Sequence, residues 1–153
     1  MSTIMIEPET NAAKLAELTF NLLEDCHQKE MRIAVRYGLT ASEFRCLRLL
    51  NVGEAINNKE LAHRLNLSPS RLTRILNGLV EKGYTSREIE ADDRRNMRVS
   101  LSPKGERIVS NLNEAYVKIH QEILDNIEIS SHQNLITGMT ELLSALRKWM
   151  NKS

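Results

Sequence analysis

The segment from Asn57 to Leu101 constrains the fold most, because two helix signals and a change of hydrophobic periodicity follow one another within it. The first helix ends at Asn66, a residue type that tolerates the left-handed conformation of a sharp turn. Ser68 then predicts an N-cap, and Pro69 suits the first helical position. The spacing therefore predicts two short helices joined by a tight turn, which is a helix-turn-helix.

The second helix of this pair exposes a polar face when its apolar positions point inward. Arginine can bind guanine with two hydrogen bonds, asparagine can pair with adenine, and hydroxyls bind phosphates or bases. The helix N-terminus also points backbone N–H groups toward a phosphate. These residue types predict a DNA-recognition helix. The apolar stripe is predicted at Leu72, Ile75, Leu76, Leu79 and Val80, and the candidate DNA contacts are Ser68, Ser70, Arg71, Thr73, Arg74 and Asn77.

After this helix the apolar period changes to two, which predicts a β-hairpin. The predicted elements are strands Thr85–Glu90 and Met97–Leu101, with the polar turn Ala91–Asn96 between them. Arg94 and Arg95 are expected at the tip, where they can enter a narrow minor groove. Asp93 is expected to brace an arginine through a charge-assisted hydrogen bond. The hairpin is therefore predicted to be a second DNA-contacting element.

Longer helices are predicted on both sides of this segment. The first runs from Asn11 to Arg36 and ends before Gly38. At about 1.5 Å per residue it is about 40 Å long, which is longer than a helix needs to be to cover the core of one small subunit. Its apolar stripe consists of Leu15, Leu18, Leu22 and Cys26. The last helix carries a similar stripe of Leu135, Met139, Leu142, Leu146 and Trp149. Helices of this kind at both ends favour an intertwined dimer.

Helix starts are predicted from paired cap residues in which the third residue after the cap is Glu or Gln. Three such pairs are Thr40 with Glu43, Asn57 with Glu60, and Ser130 with Gln133. Ser102 and Pro103 give a further start by the cap-plus-proline signal. The predicted order is four helices, a hairpin and two helices.

Positive charge is concentrated in the middle of the chain. The net charge is only +1. Residues 57–107, however, contain 11 Lys and Arg against 7 Asp and Glu, while the flanking residues contain 10 against 13. No apolar run approaches the ~20 residues of a membrane span, and no secretory signal pattern is visible. The expected protein is therefore cytoplasmic and non-membrane, with a local basic face for nucleic acid.

The string GYTSREIEADDRRNMRVSLSPKG resembles the wing and following helix start of the multiple-antibiotic-resistance regulator (MarR) family. YGLTASEFRCLRLL and NKELAHRLNLSPSRLTRILNGLVEKGY resemble upstream parts of the same family, so the likeness covers roughly residues 37–107. A serine replaces the family's threonine after the second strand. The matching wing positions are Asp93, Arg95, Leu101, Ser102 and Gly105.

This resemblance implies a mainly α fold with a small β-hairpin wing, in which a winged helix-turn-helix is flanked by N- and C-terminal dimerisation helices. The implied regions are a dimerisation helix at 1–36, a DNA-binding region at 37–102 and dimerisation helices at 103–153, within one compact domain. The implied function is a ligand-responsive repressor that binds double-stranded DNA as a homodimer on a pseudo-palindromic operator. A small aromatic or anionic effector is a further implied partner. Its predicted pocket residues are Arg36, Tyr37, Arg45, Arg48 and Trp149.

Three alternatives remain open. A winged helix can serve as a protein–protein interaction module, although Arg71 and Arg74 on the recognition face argue against that use. A cysteine redox-sensing regulator is a second alternative, but Cys26 and Cys46 both lie on or beside apolar stripes and are expected to be inert. An enzyme ranks last, since no nucleophile–base constellation or phosphate loop is visible. No cofactor and no metal site are predicted, because the four histidines are scattered.

Overall fold

The protein is described by a computed structural model covering residues 10–90 and 93–152, apart from the side chains of residues 90 and 93–96. The elements are α1 (Asn11–Arg36), α2 (Ala41–Leu49), β1 (Ile56–Asn57), α3 (Asn58–Leu65), α4 (Pro69–Glu81), β2 (Thr85–Glu90), β3 (Asp93–Leu101), α5 (Pro103–Leu124) and α6 (Ile129–Met150). The predicted mainly helical fold with a small antiparallel sheet is confirmed. The chain divides into two compact units, the first ending at Val109 and the second beginning at Ser110.

The first unit contains a core to which α1 to α4 and the sheet contribute. Phe44 and Leu47 of α2, Leu61 of α3 and Leu79 of α4 are fully buried, as is Val99 of β3. The predicted stripe of α4 is confirmed at its centre, where Leu72, Leu76 and Leu79 are buried. The prediction that the other two members of the stripe are buried is wrong, since Val80 is 38% exposed and Ile75 is half-buried.

The bounds of α1 agree with the prediction, and the helix is capped by the Thr10 hydroxyl, which accepts from the backbone of Ala13 at 3.1 Å. Only a few of its apolar side chains pack within the chain, namely Ala13, Ile33 and Ala34. The predicted stripe is instead open in the single chain, because Leu15, Leu18 and Leu22 are 45–66% exposed.

One predicted cap pair is confirmed and the second is partly wrong. Thr40 and Glu43 form a complete capping box at the start of α2. Asn57 caps α3 by accepting from the Lys59 backbone at 2.8 Å, but Glu60 does not complete a box. The Glu60 carboxylate instead pairs with Arg64 one turn along, at 3.1 Å. An i,i+4 partner of opposite charge therefore competes for the box position.

The predicted cap of the last helix is wrong. Helix α6 begins at Ile129, so Ser130 already lies inside it, and the N-cap residue Glu128 makes no side-chain cap hydrogen bond. The His132 Nε2 atom lies 2.9 Å from the carbonyl oxygens of both Leu124 and Ile127. This imidazole closes the turn between α5 and α6, a role that cap signals do not reveal.

The sheet has one strand more than predicted and a shorter turn. Strand β1 pairs with β3 through Ile56 and Val99, and the order is β1-β3-β2, all antiparallel. Two residues are too few to display a period, so β1 was not predicted. Strand β3 begins at Asp93, within the predicted turn. Residues 91 and 92 of that turn lie outside the described residues.

The second unit contains the rest of α5 and the whole of α6. Helix α6 has no buried residue in the single chain. Members of its predicted stripe are open to solvent, with Met139 at 49%, Leu146 at 45% and Trp149 at 71% exposed. No helix in the described ranges is long and apolar enough to cross a membrane.

Candidate nucleic-acid interface

The turn between α3 and α4 is built by backbone geometry that the sequence predicts. Asn66 has φ 52° and ψ 49°, in the left-handed region. The backbone N–H of Leu67 donates to the Ala62 carbonyl at 3.0 Å, which ends α3. The Ser68 hydroxyl accepts from the Arg71 backbone at 3.3 Å, and Pro69 occupies the first turn of α4. These contacts fix the angle at which α4 leaves α3.

Helix α4, which is predicted to be the recognition helix and is called so below, presents the predicted polar face to solvent. All six candidate contact residues are exposed: Ser68, Ser70, Arg71, Thr73, Arg74 and Asn77. The first turn contains no acidic residue, so the partial positive charge of the helix N-terminus is not neutralised locally. The guanidinium groups of Arg71 and Arg74 make no hydrogen bond or ion pair to the part of the chain that the structure describes.

Some of these polar groups are already engaged within the chain. The Thr73 hydroxyl donates to the Pro69 carbonyl at 2.9 Å, which leaves it as an acceptor toward a ligand. The Ser68 and Ser70 hydroxyls lie 3.3 Å apart. The Asn77 amide oxygen accepts from the Arg87 guanidinium of β2 at 2.6 Å. Arg71 and Arg74 are therefore the members of this face best able to take a new partner.

Arg87 is a residue that the sequence reasoning missed. Its bond to Asn77 joins the wing, here the β2–β3 hairpin, to the third turn of the recognition helix. Period-two alternation shows that Arg87 shares a strand face with its i±2 neighbours, but it cannot show which helix lies opposite. The bond therefore links the wing directly to the recognition helix.

The base of the wing is closed around Ser102 and Gly105. The Ser102 backbone donates to the Tyr84 carbonyl at 3.0 Å, and its hydroxyl donates to the Gly83 carbonyl and accepts from the Gly105 backbone. A Cβ atom at Gly105 would lie 1.9 Å from the Tyr84 carbonyl oxygen. Lys104 spans the same junction by donating to the Lys82 carbonyl at 3.0 Å. The start of α5 and the α4–β2 connection are therefore in direct backbone contact.

Arg94 and Arg95, which are predicted at the wing tip, lie near the start of β3, where its pairing with β2 is irregular. Ile89 pairs with Met97, whereas the next residue, Glu90, pairs with Asp93, so residues 94–96 have no partner on β2 in this register. Arg94 and Arg95 belong to that interval. The side chains of Asp93, Arg94 and Arg95 lie outside the described residues, so the proposed brace and groove contacts stay predictions.

Two residues of the predicted effector pocket line a shallow cavity of about 250 Å³. Arg45 and Arg48 of α2 face it together with Glu30, Leu49, Arg64 and Leu65. Arg36, Tyr37 and Trp149 do not line this cavity. The cavity is rich in guanidinium groups, but it also contains the Glu30 carboxylate, and Arg64 is already paired with Glu60.

The two cysteines differ in their surroundings. Cys46 is fully buried; this burial, with a smaller contribution from the Glu43 carboxylate, raises the pKa of its thiol to about 12. Cys26 is half-buried, and the Lys29 ammonium lies 3.8 Å from its sulfur. Within the described ranges there is no group of three or more His, Cys, Asp or Glu side chains placed to hold a metal ion.

Comparison with known proteins agrees with this geometry. Residues 39–97 match the family model described as MarR family. The HTH-type transcriptional regulators SarZ of Staphylococcus aureus (strain USA300) and Staphylococcus epidermidis (strain ATCC 12228 / FDA PCI 1200) are 32% and 31% identical over 71% of this chain and 72% of theirs.

Two solved structures show the same fold. Wild-type MarR from E. coli in its apo form is 26% identical, covers 80% of this chain and 94% of its own, and superposes with a TM-score of 0.69. MepR of S. aureus, solved as a complex with DNA, is 17% identical and covers 86% of this chain and 97% of its own, with a TM-score of 0.67.

Proposed function

Because the chain belongs to the MarR family and is a DNA-binding transcriptional regulator, we propose that it acts as a homodimeric repressor on a pseudo-palindromic operator. The observation that carries this proposal is the exposed face of the recognition helix. There, the guanidinium groups of Arg71 and Arg74 have no partner among the described residues, and the nearby helix N-terminus has no carboxylate in its first turn. Such a face suits base edges and phosphates in a major groove.

Dimerisation is supported by apolar surface that the single chain leaves open. Leu18 and Leu22 of α1 are 66% and 50% exposed, and Trp149 of α6 is 71% exposed. Exposed apolar side chains at helical spacing near both ends of a chain favour an interface between two copies of that chain. A two-fold dimer would place its recognition helices in successive major-groove segments about one helical turn apart.

The wing supplies the second proposed contact. Arg87 links β2 to the recognition helix by a hydrogen bond, so the wing would lie beside the groove that this helix enters. We assign Arg94 and Arg95 to the adjacent minor groove, with Asp93 as the brace. A chromosomal DNA partner implies a cytoplasmic location, and no step of the proposed function is catalytic.

A small anionic effector would bind at the cavity containing Arg45 and Arg48. Guanidinium groups recognise carboxylates with paired hydrogen bonds. The cavity joins α1, α2 and α3, so an occupant could change how the dimer helix and the helix-turn-helix sit together. Titration of the protein–operator complex with a panel of aromatic carboxylates should release DNA, and the Arg45→Ala variant should resist release. Equal release of both proteins would reject the assignment.

The DNA proposal is tested by selecting bound sequences from a random DNA library. The enriched DNA should contain two inverted half-sites about 10 base pairs apart. Arg71→Ala and Arg74→Ala should each weaken binding, and Arg95→Ala should lower the slope of log affinity against log salt by about 0.9 for each phosphate that the variant no longer neutralises. Lys148→Ala, which removes one cation from α6, is the matched control and should leave affinity nearly unchanged.

The proposed DNA contacts of the recognition helix would be contradicted if no sequence were enriched. They would also be contradicted if the Lys148 control lost as much affinity as the recognition-helix variants.

The dimer is tested separately by sedimentation equilibrium. The Leu18→Glu, Leu22→Glu double variant should shift the protein toward monomer and lose operator binding, whereas a fully dimeric variant would reject α1 as an interface. In a purified transcription assay with the selected operator placed at a promoter, added protein should reduce the transcript; an increase would make it an activator.

A further inference from the structure

The Glu43 carboxylate at the start of α2 is a buried charge with a defined set of partners. The residue is only 4% exposed. Its Oε1 atom accepts from the Thr40 backbone at 2.9 Å and from the Lys82 ammonium at 2.6 Å. Lys82 is the C-cap residue of the recognition helix, and its ammonium also donates to the Gly38 carbonyl at 2.9 Å. One lysine therefore joins the end of α4 to both sides of the α1–α2 junction.

The same carboxylate also lies against the backbone of the recognition helix. A Cβ atom at Gly78 would lie 2.7 Å from the Oε2 atom of Glu43. The absence of a side chain at Gly78 therefore lets α2 and α4 approach closely. Together, Gly78 and Lys82 give α4 two fixed points about one helical turn apart.

We propose that Glu43 and Lys82 form a clasp that sets the orientation of the recognition helix, and that both are positioning residues for DNA binding which do not touch DNA. The clasp acts at the end of α4 opposite to the end that carries Ser70 and Arg71. At about 1.5 Å per residue, Ser70 lies about 18 Å along the helix from Lys82, so a tilt of about 5° moves it by about 1.6 Å. That displacement exceeds the tolerance of a base-specific hydrogen bond.

The charges in the clasp are matched. Burial raises the pKa of the Glu43 carboxyl, but the hydrogen bonds from Lys82 and from the Thr40 backbone outweigh it and hold the pKa below the ordinary value. The carboxylate is therefore charged at neutral pH and needs its cation. Removing Lys82 alone leaves a buried charge without compensation, whereas removing both charges does not. Comparing the single Lys82 variant with the double variant therefore distinguishes a loss of stability from a change in the orientation of α4.

The test compares Lys82→Met, Lys82→Arg and the Glu43→Gln, Lys82→Met double variant with the unsubstituted protein. Each is measured for urea unfolding and for affinity to the selected operator at several salt concentrations. The double variant should regain most of the stability that Lys82→Met loses yet still bind the operator about tenfold or more weakly, as expected when a base contact is misplaced. Its salt slope should be unchanged, and Lys82→Arg should restore affinity. Lys118→Met, on the exposed surface of α5, is the control.

A double variant with full affinity would overturn the clasp as a positioning device, and a lower salt slope in Lys82→Met would make Lys82 a phosphate contact instead. The inference rests on DNA binding by α4 but not on a particular operator.

Residual dipolar couplings of the backbone N–H groups of α2 and α4 therefore provide a readout without DNA. The angle between the helices should change by about 5° or more in the double variant, and an unchanged angle would refute the clasp even if the library selection failed.

Discussion

The Gly105→Ala substitution is expected to destabilise the protein strongly, although helix propensity alone predicts the reverse. Gly105 lies in the first turn of α5, where alanine ordinarily favours the helix by about 0.5–1 kcal/mol. A close backbone contact nevertheless leaves no space for a side chain at this position. The added Cβ would lie 1.9 Å from the Tyr84 carbonyl oxygen and 2.8 Å from the carbonyl carbon.

The magnitude follows from the displacement that this contact requires. Ordinary van der Waals contact begins near 3.4 Å, so either the start of α5 or the end of the α4–β2 connection must move by about 1.5 Å. Overpacking of this kind costs about 1–3 kcal/mol. The move also breaks the hydrogen bond from Ser102 to Tyr84, which costs about 0.5–1.5 kcal/mol. After the gain in helix propensity is subtracted, the expected net loss is about 2 kcal/mol, within a range of about 0.5–4 kcal/mol.

Urea unfolding at a fixed protomer concentration measures this loss, because a dimer's apparent stability depends on concentration. Gly138→Ala, inside α6, is the matched control, since none of the described residues of the same chain has an atom within 4 Å of the Cβ it would add. Its free energy of unfolding should stay the same or rise by up to about 1 kcal/mol. If Gly105→Ala were as stable as this control, the close approach of α5 to Tyr84 would be refuted.

Three further predictions concern the first unit. Asn66→Ala should lower the free energy of unfolding by about 1–2 kcal/mol and Asn66→Gly should not, because φ is 52° there; equal losses in urea unfolding would contradict this conformation. In the native protein a thiol reagent should spare Cys46, because burial raises the pKa of its thiol to about 12, until urea exposes it; rapid modification of Cys46 would contradict its burial. The pKa of Glu43 in the folded protein is lowered from 4.5, so its contribution to stability is complete above that pH and is lost as the pH falls below it. Below pH 4.5 the free energy of unfolding of Glu43→Gln should therefore fall less steeply with pH than that of the unsubstituted protein. Parallel plots of the free energy of unfolding against pH would argue against the ion pair.

Features encoded by neighbouring residues could be predicted from the sequence. The capping box of Thr40 and Glu43 needs only a hydroxyl, a carboxylate and a spacing of three, and the structure contains it. The turn at Asn66 and the cap at Ser68 are similarly local, since the left-handed residue and the cap oxygen act within a few positions of themselves. The exposure of Arg71 and Arg74 followed from helical period alone.

Features that depend on distant residues could not be predicted in this way. The bond between Arg87 and Asn77 joins a strand to a helix, and the alternation of β2 does not say which helix is near. Strand β1 exists because β3 is available to pair with Ile56, not because two residues have a strand signal. His132 closes a turn with two carbonyl oxygens, contacts that no cap pattern encodes.

Glu43 shows how one residue carries both kinds of information. Its spacing from Thr40 predicts a cap, and a cap would be satisfied with the carboxylate facing solvent. The structure buries it instead against Gly78 and pairs it with Lys82, 39 residues away in the chain. Because burying a charge is costly without a matched partner, a cap alone does not explain this placement. The local signal determines where α2 begins, whereas the long-range pair joins α2 to α4. In the proposed clasp that pair sets the direction of α4, and with it the DNA sequence that the exposed arginines would contact.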